Sequence, residues 1–175
     1  MDNLPRFDVD TDDEMPQINC VSLKPFDIDN FIQPYSNNNF SLLNFNIRSC
    51  RKNFASLITF LSTYFTILNL SVIVLCETWL SEITDYGFDI PGYRQLNLYR
   101  NTHGGGLKAY CTNDYRIEGF DLLTFLTDVI EVLSFYIIGN NFKYLIIAVY
   151  RPPSSYSNLF NDILLYQVLN SIPLY

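Results

Sequence analysis

Three polar side chains stand where predicted strands end, and their types could support chemistry. Glu77 follows the apolar run 70–76 at a point where a loop opens, so its carboxylate can face a cleft. Asn46 lies in a shorter apolar segment, and Tyr150 ends another one. Each residue also has a plainer interpretation: a solvated strand-end Glu, an alternating polar position, or a common strand-end aromatic. For Glu77 the pattern alone favours the solvated interpretation.

Basic side chains form a second group of candidates, because a guanidinium or ammonium can contact a phosphate. Arg48, Arg51 and Lys52 cluster in the sequence, and Arg151 directly follows Tyr150. A solvated loop position explains each of them equally well. The single histidine, His103, directly precedes three glycines and is interpreted as a turn residue.

The charge of the chain is concentrated at its start. The 175 residues carry a net charge of −7, and residues 1–30 alone hold eight acids and two bases. Residues 1–39 are therefore predicted to be an acidic, flexible leader, and residues 40–175 one domain. The nearly neutral domain has no large basic field to drive nonspecific binding of nucleic acid.

The cysteines and the apolar runs indicate the cellular compartment in which the protein works. Cys20, Cys50, Cys76 and Cys111 include no C-x-x-C pair. Cys76 and Cys111 lie in apolar runs and are interpreted as buried free thiols, which indicates a reducing, intracellular compartment. The acidic start predicts no signal peptide. The longest apolar stretch, residues 65–76, is too short to span a membrane.

The first elements that must position these side chains form a crossover. Residues 41–47 and 70–76 are apolar runs that predict strands, and the second is continuous enough to be buried on both faces. Between them, apolar residues at three-to-four spacing predict a helix over 52–64. A strand, a helix and a second buried strand predict that the two strands are parallel.

Turn signals divide the remaining chain into hairpins and a final helix. Strands are predicted at 93–99 and 107–111, around a glycine triplet whose backbone needs positive φ or close approach. A stronger hairpin signal joins 129–138 to 144–150 through Gly139-Asn140-Asn141. A helix is predicted over 157–169. The fold class is therefore mixed α/β.

Four segments, in this order, resemble a known family. They are residues 43–49 (LNFNIRS), 75–80 (LCETWL), 104–110 (GGGLKAY) and 149–153 (VYRPP). Together they are similar to the N-terminal half of the endonuclease domain of non-LTR retrotransposons of the LINE and Jockey type. This branch of the endonuclease/exonuclease/phosphatase superfamily is related to apurinic endonucleases and DNase I. The resemblance covers about residues 41–160.

The resemblance implies a fold, a reaction and a location. The fold would be part of a four-layer, DNase I-like sandwich of two sheets flanked by helices. The reaction would be hydrolytic nicking of target-site DNA with Mg²⁺ or Mn²⁺, in a protein associated with a reverse transcriptase and working in the nucleus. A hard cation suits this chemistry because it binds carboxylate oxygen and neutralises the phosphate.

The resemblance also assigns roles to matching residues. Glu77 matches the metal-binding carboxylate, Asn46 the asparagine that helps place metal and phosphate, and Tyr150 the tyrosine that donates toward the phosphate. Arg48 replaces the acid of apurinic endonucleases, which is usual in the retrotransposon branch. Trp79 is interpreted as a packing residue.

Two family motifs do not occur before Tyr175: a Gly-Asp-Phe-Asn type segment and a Ser-Asp-His type segment. The sequence therefore predicts a truncated domain that is inactive or nearly so by itself. It also predicts that the strands lack a second sheet, which would expose an apolar face and favour self-association. A non-enzymatic remnant, a phosphate- or nucleic-acid-binding module, and more distantly a lipid or inositol-phosphate phosphatase, are the alternatives.

Overall fold

The computed structural model describes residues 40–68, 70–100 and 104–153. These residues fall within one compact unit. The predicted leader 1–39, the predicted helix 157–169 and the turn residue His103 lie outside the described residues. No helix in the described part of the chain is long and apolar enough to cross a membrane.

The described residues form one α-helix and eight strands around a short 3-10 turn. The helix is α1 (Cys50–Leu68). The strands are β1 (Leu42–Asn46), β2 (Val72–Cys76), β3 (Tyr93–Leu98), β4 (Leu107–Thr112), β5 (Arg116–Gly119), β6 (Phe125–Leu126), β7 (Glu131–Ile138) and β8 (Lys143–Tyr150), and the 3-10 turn is Asp121–Leu123. Every element predicted from periodicity within these residues is confirmed, with boundaries that shift by up to four residues.

The first sheet has the strand order β1-β2-β4-β3. Strand β1 runs parallel to β2, from the pair Leu42 and Val72 to the pair Asn46 and Cys76, as the crossover predicted. The other neighbours are antiparallel, and the predicted hairpin of β3 and β4 is confirmed. Every residue of β2 is buried, because one of its faces packs under α1 and the other against a second sheet.

Helix α1 covers the outer face of the first sheet. Its apolar residues recur at the spacing of one helical face, so they pack together against β2 and β4. The core that results contains Cys50, Phe54, Leu57 and Leu61 of the helix with Ile73, Leu75 and Tyr110 of the sheet.

The second sheet consists of β5, β7 and β6, with β8 paired to β7. The predicted hairpin of β7 and β8 is confirmed, and Gly139 N donates to Phe142 O (3.0 Å) across its turn. Strands β5 and β6 had no sequence signal. They are short, and β5 alternates polar with apolar residues on an edge that depends on pairing with β7.

The two sheets pack face to face through a second apolar core, formed by Val72, Val74, Leu107 and Ala109 of the first sheet and Phe135, Ile137 and Ala148 of the second. The expectation that the first sheet lacks a covering sheet is therefore wrong, because β7 and β8 of this same chain supply it. The expectation of self-association depended on that exposed face, so nothing in the described structure supports it. Helix, sheet and sheet are three layers of a DNase I-like sandwich.

Candidate functional site

Asn46, Glu77 and Tyr150 meet at one end of the two sheets, although they come from three distant parts of the chain. Glu77 Oε1 accepts a hydrogen bond from Asn46 Nδ2 (3.1 Å) and another from Tyr150 Oη (2.6 Å). Glu77 Oε2 accepts none from the described residues. Among the described residues, one carboxylate oxygen is therefore held by two donors, and the other receives no hydrogen bond.

The strand topology explains this meeting. Since β1 and β2 are parallel, their carboxyl ends lie side by side, and Asn46 and Glu77 leave the sheet together. Tyr150 ends β8, where it pairs with Glu131 at the start of β7. Packing of the two sheets brings that end of β8 against the end of β2.

Backbone hydrogen bonds continue beyond the ends of β1 and β2. Ile47 N donates to Cys76 O (3.0 Å), Ser49 N to Glu77 O (2.8 Å) and Cys50 N to Thr78 O (2.9 Å). The backbone at Glu77 has a φ of 55°. That left-handed conformation costs a non-glycine residue about 1 kcal/mol or more, and such strain concentrates at functional sites.

A glycine turn supports the Glu77 loop from its other side. Gly106 O accepts from Thr78 N (3.2 Å), and Gly105 O accepts from Trp79 N (3.0 Å). The triplet has positive φ throughout, as predicted, and a Cβ on Gly105 would lie 2.1 Å from Glu131 Oε1. Glycine is required here because the carboxylate approaches the backbone so closely.

Glu131 anchors this glycine turn, and sequence reasoning missed it. The side chain is fully buried and accepts hydrogen bonds from Gly106 N (2.7 Å) and Arg100 Nη1 (2.8 Å). The available signal was an acidic residue within an otherwise apolar run, since a buried charge needs a partner. Arg100 offsets its charge, and Glu77 is the less buried of these two carboxylates.

Burial and the nearby carboxylates raise the pKa values of two side chains at the site, Tyr150 and Cys76. Burial, the hydrogen bond to Glu77 and the charge of Glu77 raise the pKa of Tyr150 well above its ordinary value. Burial and the charges of Glu131 and Glu77 raise the pKa of Cys76 to about 11. Tyr150 therefore remains a protonated donor at neutral pH, and Cys76 remains a neutral thiol.

Glu77 is the carboxylate at this junction that could hold a metal ion. Within residues 40–68, 70–100 and 104–153, no group of three or more His, Cys, Asp or Glu side chains is placed to hold a metal. Magnesium accepts such a poor protein site, because it commonly keeps several waters and binds through one or two carboxylates plus substrate phosphate. Glu77 would be that carboxylate, while Asn46 and Tyr150 fix its orientation.

The predicted basic side chains are solvent-exposed. Arg48 lies directly beside the site, where its backbone N donates to Asn46 Oδ1 (3.1 Å). Arg51 and Lys52 lie in the first turn of α1, and Arg151 follows Tyr150. Trp79 is 47% exposed, so its interpretation as a packing residue is wrong.

Comparison with known proteins identifies the fold. No family model matches the sequence, and no curated protein matches it. Among solved structures, the endonuclease domain of TRAS1, a telomere-specific non-LTR retrotransposon, is similar with a TM-score of 0.52 and 14% identity over 75% of this chain and 52% of that chain. D. rerio TDP2, solved with single-strand DNA product, gives 0.51 and 13% over 75% and 53%. The mannosyl-6-phosphatase Bt3783 of Bacteroides thetaiotaomicron gives 0.51 and 11% over 75% and 59%.

These structures share the endonuclease/exonuclease/phosphatase fold, and the described chain has that fold. The fold that the four segments implied is thereby confirmed, including its DNase I-like architecture. The chain spans between 52% and 59% of the length of the neighbours compared above. Because both nucleases and a phosphatase share the fold, the substrate has to be argued from the site.

Proposed function

We propose that this chain carries part of the active site of a metal-dependent DNA endonuclease that nicks target sites for a non-LTR retrotransposon. The observation that carries the proposal is the junction at Glu77, where an asparagine and a tyrosine hold one carboxylate at a strand end. A similar fold in the TRAS1 endonuclease supports the retrotransposon branch, and the DNA product bound to D. rerio TDP2 supports a DNA strand as ligand. Association with a reverse transcriptase and work in the nucleus belong to the same proposal.

Each residue would have a distinct task. Glu77 would bind Mg²⁺ or Mn²⁺ through its available oxygen, and the cation would neutralise the phosphate and stabilise charge on the leaving oxygen. Asn46 orients the carboxylate through its amide. The Tyr150 hydroxyl, protonated at neutral pH, can donate to Glu77 or turn toward a phosphate oxygen. Arg48 stands at the exposed rim, where a guanidinium can pair with a phosphate.

We expect the chain by itself to be inactive or nearly so. The described site contains one carboxylate available to a metal, and no histidine occurs among the described residues to orient an attacking water. Losing members of a catalytic set lowers rates by orders of magnitude. Binding of metal and DNA is therefore a better first test than turnover.

The test pairs Mn²⁺ titration by calorimetry with nicking of supercoiled plasmid, on the unaltered chain and on Glu77→Gln. Glu82→Gln is the matched control, because it changes an exposed Glu five residues further along. We expect weak Mn²⁺ binding that Glu77→Gln abolishes and Glu82→Gln preserves. Metal binding that survives Glu77→Gln would contradict the proposed site. Nicking that Glu77→Gln removes would confirm the activity and overturn the expected inactivity.

The second candidate is a phosphate- or nucleic-acid-binding module on the same scaffold. The observation that favours it is the exposed basic group of Arg48, Arg51 and Lys52 near the site. DNA binding through these side chains would weaken with salt, with a slope of about −0.9 per phosphate contact on duplex DNA. Binding that is independent of metal and of Glu77, but lost in Arg48→Gln with Arg51→Gln, would favour the module over the enzyme. A non-enzymatic remnant would bind neither metal nor DNA.

A further inference from the structure

Trp79 is the single tryptophan of the chain, and nearly half of its surface is exposed at the edge of the candidate site. By contrast, the side chains of its neighbours Thr78 and Leu80 are almost fully buried. The loop after β2 therefore buries a threonine and a leucine while it presents the largest aromatic side chain to solvent. An exposed aromatic face beside a phosphate site can stack with a nucleic-acid base.

The backbone holds Trp79 in this position against its own preference. Its φ is 57°, a left-handed conformation that is unfavourable for a bulky residue. Its N donates to Gly105 O (3.0 Å), and Gly105 and Gly106 are in turn fixed by buried Glu131. The indole Nε1 lies 4.0 Å from where a Cβ on Gly104 would stand, an ordinary van der Waals distance, so the ring lies beside the glycine turn.

The position of Trp79 relative to Glu77 suits a nucleic-acid strand. Trp79 lies two positions after Glu77 in the chain, so their Cα atoms are within about 7 Å of each other. One strand of a B-form duplex advances about 3.4 Å per nucleotide. A phosphate at Glu77 and Tyr150 would therefore leave a base of the same strand, one or two nucleotides away, within reach of the indole.

We propose that Trp79 is a stacking platform for an unpaired base of the DNA strand whose phosphate lies at Glu77. This inference rests on the proposed function and adds that the site prefers single-stranded or unstacked nucleotides. Stacking on an indole suits every base, because each has a π-face, and the bases of an intact duplex already stack on one another. Trp79 would thus determine the preference for an unpaired strand, while Glu77 would contribute the site for its phosphate.

The test uses the intrinsic fluorescence of the single tryptophan. The chain, with Mg²⁺, is titrated with a short oligothymidylate and with a deoxyribose-phosphate strand of equal length that lacks bases. Trp79→Ala and Trp79→Phe are titrated by anisotropy with the same strands carrying a dye. Tyr86→Ala, another exposed aromatic seven residues further along, is the matched control.

We expect oligothymidylate to quench the fluorescence and to bind more tightly than the strand without bases. Trp79→Ala should weaken its binding by about 5- to 160-fold, the range for loss of one stacked base, whereas Trp79→Phe should retain most of it. Neither substitution should alter binding of the strand without bases, and Tyr86→Ala should alter neither ligand.

Equal binding of the two strands, with no effect of Trp79→Ala, would overturn the stacking proposal and leave the phosphate site intact. Binding of neither strand would overturn the stacking proposal together with the DNA ligand of the proposed function. Quenching that follows protein concentration without DNA, together with self-association in sedimentation that Trp79→Ala abolishes, would overturn the stacking proposal, because the indole would then contact a second copy of the chain.

Discussion

Glu77 Oε1 accepts hydrogen bonds from Asn46 and Tyr150, which lie on strands far apart in sequence. The hydrogen bond from Tyr150 is the shorter of the two. Tyr150→Phe removes that hydroxyl and keeps the ring. Because the contact is a partly buried hydrogen bond to a carboxylate, we expect the free energy of unfolding to fall by about 1 kcal/mol in urea denaturation. Tyr144→Phe, on the same strand, removes a hydroxyl for which no hydrogen bond occurs among the described residues. Equal effects of the two substitutions would contradict the contact at Glu77.

The three buried cysteines predict how stability depends on pH. Burial raises the pKa of Cys50 to about 12 and those of Cys76 and Cys111 to about 11, from an ordinary value of 9.0. A thiol whose pKa is raised by folding contributes stability that is complete below the unfolded pKa and lost as pH rises through the folded one. The free energy of unfolding should therefore decline between about pH 9 and about pH 11, measured by urea denaturation at each pH.

Ala replacements identify the source of that decline. Cys76→Ala and Cys111→Ala remove two titrating thiols, so the decline should become shallower in the double variant. Cys50 and the tyrosines with raised pKa, including Tyr110 and Tyr150, account for what remains and act in the same direction. An unchanged slope in the double variant would contradict the thiol contribution.

At the scale of elements, one buried ion pair links β7, the segment after β3 and the glycine turn. Glu131→Ala leaves the amide of Gly106 without its acceptor and leaves the guanidinium of Arg100 with the exposed carboxylate of Asp128, 3.9 Å away. Since Arg100 keeps some solvent access, we expect a loss of about 2–3 kcal/mol, near the lower end for broken buried pairs. Thermal and urea unfolding measure it.

The chain offers a matched control for this prediction. Arg116 and Glu118 form a pair with the same 2.8 Å separation, but both side chains are largely exposed. Glu118→Ala should cost less than about 1 kcal/mol, as exposed pairs do. If the two substitutions had similar effects, burial would not be what makes the Glu131 contact important. Glu131→Ala should also weaken Mn²⁺ binding at Glu77, because the glycine turn supports that loop.

The same elements show what sequence can and cannot predict. Continuous or periodic apolar runs predicted β2, α1 and the hairpin of β7 and β8, because local patterning and turn chemistry decide them. Strand β5 escaped prediction because its pairing with β7 is more distant in sequence, and β6 because two residues are too few to show a period. Asn46, Glu77 and Tyr150 could be chosen only through the family resemblance, and their mutual contact requires the packing of two sheets. The exposure of Trp79 depends on a positive φ that its residue type argues against.

At the scale of the whole molecule, the two packed sheets form one core, and this predicts cooperative unfolding. Phe135 is fully buried between the sheets, so Phe135→Ala should cost about 3–5 kcal/mol and lower the midpoint of a single transition. Phe45 lies on β1 with nearly half of its surface exposed, and Phe45→Ala should cost less than about 1 kcal/mol.

Fluorescence of Trp79, beside the first sheet, and circular dichroism of the whole chain should report coincident transitions. A fluorescence transition that precedes or follows the circular dichroism transition would mean that the sheets unfold separately, and the second sheet could then not hold Tyr150 firmly against Glu77.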